Sequence, residues 1–321
     1  MIVVPTDAAI SSAALALSKG ALVAVPTETV YGLAADARNS QALQRMYLVK
    51  NRPKEHPVIV HIGSIEYLDY WTKEIPTYAI QLANTFWPGP MTLVLKKSRH
   101  VDHNLTGGQQ TIGIRIPKHD VAKLLFDRFH ELGGKGLAMP SANRFGAVSP
   151  TDAQAVVKEL RNYLDSSTDK ILDGGICEVG LESTIINCSE EIPEILRPGA
   201  ITFSKIKSVA PICKVKNLSH SNLKFSGNYL KHYAPKAKVV FTGNPNKGDG
   251  FLALISISTP KNCIRLASPK NSNEFAQILY NSFRKADEMK LKQIYVKLPH
   301  GNGIETAIIE RVYKAAGEQL S

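Results

Sequence analysis

Four cysteines in 321 residues, Cys177, Cys188, Cys213 and Cys263, are too few and too far apart for a disulfide framework, and no C-x-x-C pair offers metal ligands. No apolar run approaches the roughly 20 residues of a membrane-spanning helix. The first residues, MIVVPTDAAISSAA, lack the charged, apolar and cleavage regions of a secretory signal. A soluble, cytoplasmic protein without a membrane partner is therefore expected. The sequence also contains no G-x-x-x-x-G-K-[ST] loop, no G-x-G-x-x-G turn, no H-E-x-x-H and no G-x-S-x-G elbow. His100 and His103 lie close together, but no acidic or cysteine partner makes them a convincing metal site. A bound nucleotide would have to be held by basic side chains rather than by a glycine loop.

Basic side chains are abundant. Lys and Arg number 39 against 28 Asp and Glu, a formal charge of +11. That excess favours a polyanionic partner, nucleotide or nucleic acid, although a lysine-rich surface gives the same total.

The chain alternates short apolar runs with helical periodicities, which predicts an α/β fold on a mixed sheet. GALVAVP, PVIVHI, MTLVLKK, TIGIRIP, GLAMPSA, LESTIINC and EILRPGA read as strands. NSQALQRMYLVK reads as a helix capped by Asn39 or Ser40, with Leu43, Met46 and Tyr47 on one face. TYAIQLANTFW, DVAKLLFDRF and TDAQAVVKEL read as further helices, with Thr151 as the cap of the last. Periodicity fades between residues 206 and 236, a Lys-, Ser- and Asn-rich stretch that reads as a linker. Residues 1–205 and 237–321 then form two domains. The second carries strands in KVVFTG, FLALISIS, CIRLAS and QIYVKLP, a helix with Phe275, Ile278, Leu279 and Phe283 on one face, and a last helix in GIETAIIERVYKAAGEQL.

Polar residues cluster where apolar runs stop: Thr27, Glu28 and Thr29; Ser141 and Asn143; Glu182, Ser183 and Thr184. Open α/β sheets bind ligands at strand ends, although turn and capping chemistry explains most isolated hydroxyls. Lys50, Arg52 and Lys54 follow a helix end, where cations suit the helix dipole or clamp a polyphosphate. His56 and His61 flank the next strand, and Arg115 and Arg197 sit at strand ends.

In order along the chain, PTETVYGLAADA, KNRPKEHPVIVHI, WPGPMTLVL, TIGIRIP, MPSANRFGAVSPT, LESTII and LRPGAI resemble the long-form threonylcarbamoyl-AMP synthase family, and HYAPKAKV and AIIERVYKAAG resemble its linker and C-terminal domain. The resemblance implies a YrdC-like twisted mixed sheet with a central cleft, followed by a small Rossmann-like α/β domain. It implies the joining of L-threonine, bicarbonate and ATP into threonylcarbamoyl-AMP and pyrophosphate, assisted by Mg2+. A downstream tRNA threonylcarbamoyl transferase system would use the product, and tRNA itself is a conceivable partner. The rival reading is a non-catalytic RNA-binding protein using the same basic cleft.

Site roles follow from that resemblance. Lys50 and Arg52 would be catalytic and, with His56, would face the ATP phosphates. Thr111, Ser141, Asn143, Ser149, Arg197 and the linker residue Tyr233 would also contact ATP. Thr29, His61, Arg115 and Ser183 would hold L-threonine, with Thr27 and Tyr31 shaping its pocket. Upstream of Tyr233 the family often has Pro-Gly-Met, whereas this chain reads FSGNYLK and keeps only Gly227.

Overall fold

The computed structural model describes residues 1–215, 224, 225, 227 and 231–318. Among them, eleven strands form one sheet. Its spatial order is Ile2–Val3, Lys170–Leu172, Val23–Val25, Gly32–Asp36, Leu137–Ala138, Val60–His61, Thr111–Arg115, Met91–Lys96, Thr184–Asn187, Glu194–Arg197 and Lys214–Val215. Parallel and antiparallel pairings mix along it. Between the exposed edge strands Ile2–Val3 and Lys214–Val215, the apolar residues of the inner strands are buried on both faces, which explains why they read as short continuous runs. One face packs against the helices Asp7–Ser18 and Asp120–Glu131, whose Leu17, Leu125, Phe126 and Phe129 join Val23, Val25 and Leu137. The larger core on the other side contains Leu43, Met46 and Tyr47 of the helix Ser40–Lys50.

The proline in AVPTETVYG ends the strand Val23–Val25, because it has no N–H to donate. The chain turns through Thr27 and returns antiparallel as Gly32–Asp36, with Val25 opposite Gly32. That second strand, GLAAD, has no β-branched residue, so its sequence hides it. Of the six residues between the two strands, Thr27, Glu28, Thr29 and Tyr31 bring side-chain oxygens to the sheet's end.

Helix starts follow capping chemistry. Of the two expected caps, Asn39 is the one used, accepting from the N–H groups of Gln41 and Ala42. The helix Ala153–Leu160 differs from expectation: Asp152, not Thr151, is the cap, accepting from the Ala155 N–H at 2.7 Å. Thr151 is buried, and its hydroxyl has no protein partner.

A helix, Phe203–Val209, runs across residue 205, and Lys214–Val215 adds to the large sheet, so regular elements of the first unit continue to Val215. Residues 216–223, 226 and 228–230 of the expected linker lie outside the described residues. The C-terminal unit has four parallel strands, ordered Lys238–Val240, Gln293–Val296, Gly250–Leu252 and Ile264–Ala267. The helices Ser272–Glu288 and Glu305–Ala316 pack on it through Phe275, Leu279, Phe283, Ile308 and Val312, and Ile278 is only partly buried. That core takes in Tyr233 of the linker and continues into the first unit through Val30, Val148 and Leu181. No helix among the described residues is long and apolar enough to cross a membrane.

Candidate active site

The turn after Val25 is held by Thr27. Its hydroxyl donates to the Val30 carbonyl at 2.7 Å and accepts from the Thr29 N–H at 3.1 Å. It also lies 2.8 Å from the Thr29 hydroxyl. Both threonines border an open-mouthed cavity whose empty space, open solvent included, is about 560 Å³. Arg52, His61, Arg115, Ser141, Glu182, Ser183, Arg197, Gly227, His232 and Tyr233 complete its polar and aromatic wall.

Three guanidinium groups converge on this space, each fixed from behind. Arg115, at the end of the strand Thr111–Arg115, donates to Glu28 Oε2 at 2.6 Å and to the Gly89 carbonyl at 3.2 Å. Arg197, ending the strand Glu194–Arg197, donates to the Ser183 carbonyl at 3.0 Å and to the Ser183 hydroxyl at 3.2 Å. Ser183 in turn meets the Thr92 hydroxyl at 2.8 Å. Arg52 donates to the Pro57 carbonyl at 2.8 Å and lies over the Phe145 ring, and its Nε has no partner within the protein.

His61 is fully enclosed, and burial, followed by the nearby Arg115, holds its pKa well below the ordinary histidine range. The imidazole is therefore neutral, and its Nδ1 has no partner within the protein. The carboxylate of Glu182 accepts from Ser149, from Tyr280 and from Arg311. Burial alone would raise its pKa, but Arg311 and Arg197 pull it below the usual value, so the group stays ionised.

Tyr233 closes one side of the cavity. It is buried in a left-handed backbone conformation, with φ 61°. Its ring lies against Tyr280 at 5.8 Å and under the Arg311 guanidinium at 5.3 Å. Its hydroxyl reaches Arg197 Nη1 at 3.5 Å. Gly227 faces it: a Cβ built there would stand 2.3 Å from the Tyr233 hydroxyl, so a side chain is excluded.

The cavity thus gathers Thr29, Arg52, His61, Arg115, Ser141, Ser183, Arg197 and Tyr233 of the expected residues, together with Thr27. The others stand elsewhere. The Lys50 ammonium is buried on the carbonyls of Ser141 and Asn143. Asn143 spends its amide on the carbonyls of Arg144 and Ala147, and Ser149 binds Glu182. Thr111 borders a neighbouring cavity with Gln109, Lys224 and Phe225. His56 is partly buried beside Phe145, its pKa lowered by burial and by Arg52. Tyr31 donates to the Gly175 carbonyl and braces that loop.

Sequence reading did not pick out His232, Tyr280 or Arg311. The one signal for Arg311 is a charge inside the otherwise apolar stripe Ile308, Val312, Ala315 of the last helix.

These features define an α/β protein with a twisted mixed sheet, a buried cationic pocket at its strand ends and a parallel-sheet C-terminal unit. The family described as "Telomere recombination" matches residues 15–199, and the one described as "Threonylcarbamoyl-AMP synthase, C-terminal domain" matches residues 201–317. The threonylcarbamoyl-AMP synthase of Bacillus subtilis is 36% identical over 335 residues, covering 98% of this chain and 94% of that protein. Its counterpart from Pyrococcus abyssi is 34% identical over 95% of this chain and 93% of its own length. The crystal structure of P. abyssi Sua5 complexed with L-threonine superposes with a TM-score of 0.85 at 33% identity, covering 97% of this chain and 95% of that one. The chain belongs to the threonylcarbamoyl-AMP synthase family.

Proposed function

We propose that this protein joins L-threonine, bicarbonate and ATP into threonylcarbamoyl-AMP and pyrophosphate, and so is a nucleotidyltransferase supplying the threonylcarbamoyl group for tRNA modification. The observation that carries the reading is the convergence of Arg52, Arg115 and Arg197 with the hydroxyls of Thr29 and Ser183 on one buried cavity. A guanidinium suits a carboxylate or a phosphate, so three of them around one space fit an amino acid and a nucleotide bound side by side.

In this reading Arg115 takes the carboxylate of threonine. Thr29 and Ser183 surround its polar end, and neutral His61 offers Nδ1 to the hydroxyl or the amine. The amine adds to bicarbonate with loss of water to give a carbamate. A carbamate oxygen attacks the α-phosphorus, the bond to the β-phosphate oxygen breaks, and pyrophosphate leaves. Arg52 and Arg197 offset the phosphate charge that builds as this happens, and alignment supplies most of the rest. Tyr233 closes the cavity and keeps water from the mixed anhydride.

The donor set does not suit a resident magnesium ion. The cavity wall is cationic or neutral apart from Glu182, which already accepts from Arg311, Tyr280 and Ser149, and nearby Glu28 is engaged by Arg115. Among the described residues no group of three or more His, Cys, Asp or Glu side chains could hold a metal. We read Mg2+ as arriving with the triphosphate, as part of the substrate.

The test is pyrophosphate release from ATP with bicarbonate and magnesium, with and without threonine, in the wild type and in Arg52→Ala. Release that needs both threonine and bicarbonate and collapses in the variant is expected. No release from folded wild-type protein would overturn the reading and favour RNA binding, which a salt-dependent RNA titration would then measure.

A further inference from the structure

Lys50 is the last residue of the helix Ser40–Lys50 and is 1% exposed. Its amine donates to two main-chain carbonyls, Ser141 and Asn143. The same helix end meets the same loop twice more: the Phe145 N–H donates to the Lys50 carbonyl at 2.8 Å, and Arg144 donates to the Val49 carbonyl at 2.7 Å. Asn51 then leaves the helix in the left-handed conformation, and Arg52, two residues beyond Lys50, reaches the cavity. Ser141, at the far end of the stitched loop, is also part of the cavity wall.

A phosphate-binding lysine needs donors free to face the ligand. Here two donors are engaged on carbonyls, no part of Lys50 borders the cavity, and Ser141 lies between them. Burial, followed by the nearby Arg52, also holds the Lys50 pKa well below the ordinary lysine range. A neutral amine still has two N–H groups, enough for both carbonyls.

The structure assigns Lys50 as a positioning residue: it fastens the Ser141–Asn143 loop to the helix that delivers Arg52, and leaves phosphate contact to Arg52 and Arg197. This rests on the reading of the cavity as a nucleotide site. The arrangement sets wall geometry, so its loss acts on every nucleotide alike. A lost phosphate contact would instead act in proportion to the phosphates present.

Calorimetric titration of adenosine, AMP, ATP and pyrophosphate into the full-length wild type, Lys50→Met and Arg52→Gln separates the two roles. Lys50→Met should weaken adenosine, AMP and ATP by a common factor of about tenfold, the scale of one or two buried carbonyls losing their donor, and leave pyrophosphate almost unchanged. Arg52→Gln should weaken ATP and pyrophosphate and spare adenosine. A Lys50→Met penalty that grows from adenosine to ATP overturns the assignment.

Amine acetylation of the wild type, read by mass spectrometry with and without ATP, tests the same point without any variant. Lys50 should stay unmodified in both states, whereas modification that ATP suppresses would overturn the proposal. Folded wild-type protein that binds neither adenosine nor ATP would overturn the nucleotide reading instead, and the acetylation result still decides where the Lys50 amine lies.

Discussion

At the scale of single residues, the candidate site is a set of charges fixed from behind. Arg115 faces the cavity because Glu28 and the Gly89 carbonyl take its other donors. Arg115→Met should abolish threonine binding. It would also leave the Glu28 carboxylate buried without its partner, at a cost of about 3–5 kcal/mol, which urea unfolding would measure. A pocket bordered by Thr29, Ser183 and neutral His61 should bind threonine in clear preference to isosteric valine, because valine leaves buried polar groups unpaired. Calorimetry with the two amino acids checks this, and equal affinities would remove the pocket assignment. Histidine also sets a pH dependence. His61 and His232 are held neutral well below the ordinary range, by burial and then by neighbouring arginines. The unfolded chain therefore binds protons that the folded chain does not as pH falls below about 6.5. Stability should drop from pH 7.5 to pH 5.5, seen as a lower urea midpoint, and His61→Gln should flatten that slope.

At the scale of elements, the site depends on where strands and helices end. Pro26 stops one strand, Thr27 folds the turn, and the Asn51 conformation releases the helix so that Arg52 can reach the cavity. Helix starts are governed by whichever side chain falls in capping register. Asp152 holds that place before Ala153–Leu160, so Asp152→Ala should cost about 1 kcal/mol in thermal or urea unfolding. Thr151→Ala should cost less, because its hydroxyl bonds nothing in the protein. These ends were only partly legible. Asn39 before an amphipathic run was readable as a cap. The strand GLAAD carries no strong local signal and is held by tertiary packing, whereas the helix Asp7–Ser18 begins at a readable Thr6 cap that sequence reading passed over.

At the scale of the whole molecule, the C-terminal unit braces the cavity wall from behind with two side chains. Arg311 and Tyr280 both bind Glu182, and both flank the Tyr233 ring. Gly180 lets the helix Ser272–Glu288 approach closely: a Cβ there would stand 2.4 Å from the Gln277 Cα. Arg311→Met removes the cation shared by Glu182 and Glu310 and should destabilise the protein by about 3–5 kcal/mol. Adding Glu182→Gln should recover part of that loss, and a double-mutant cycle of unfolding free energies reads the coupling. Independent effects that simply add would show that the pair does not act as a unit.

Local pattern alone identified alternating α/β elements, polar clusters after Val25 and Ala138 and around Glu182, and a family resemblance spread along nearly the whole chain. Those features are written in short-range periodicity and motif order, which survive without any fold. Only the tertiary structure decided that Lys50 turns to main-chain carbonyls and that Thr111 borders a different cavity. It alone brought Arg311, 129 residues along the chain from Glu182, to the edge of the site. The reason is physical. A polar side chain is satisfied by whatever donor or acceptor packing brings within about 3 Å, and neighbours far along the chain leave no trace in local pattern.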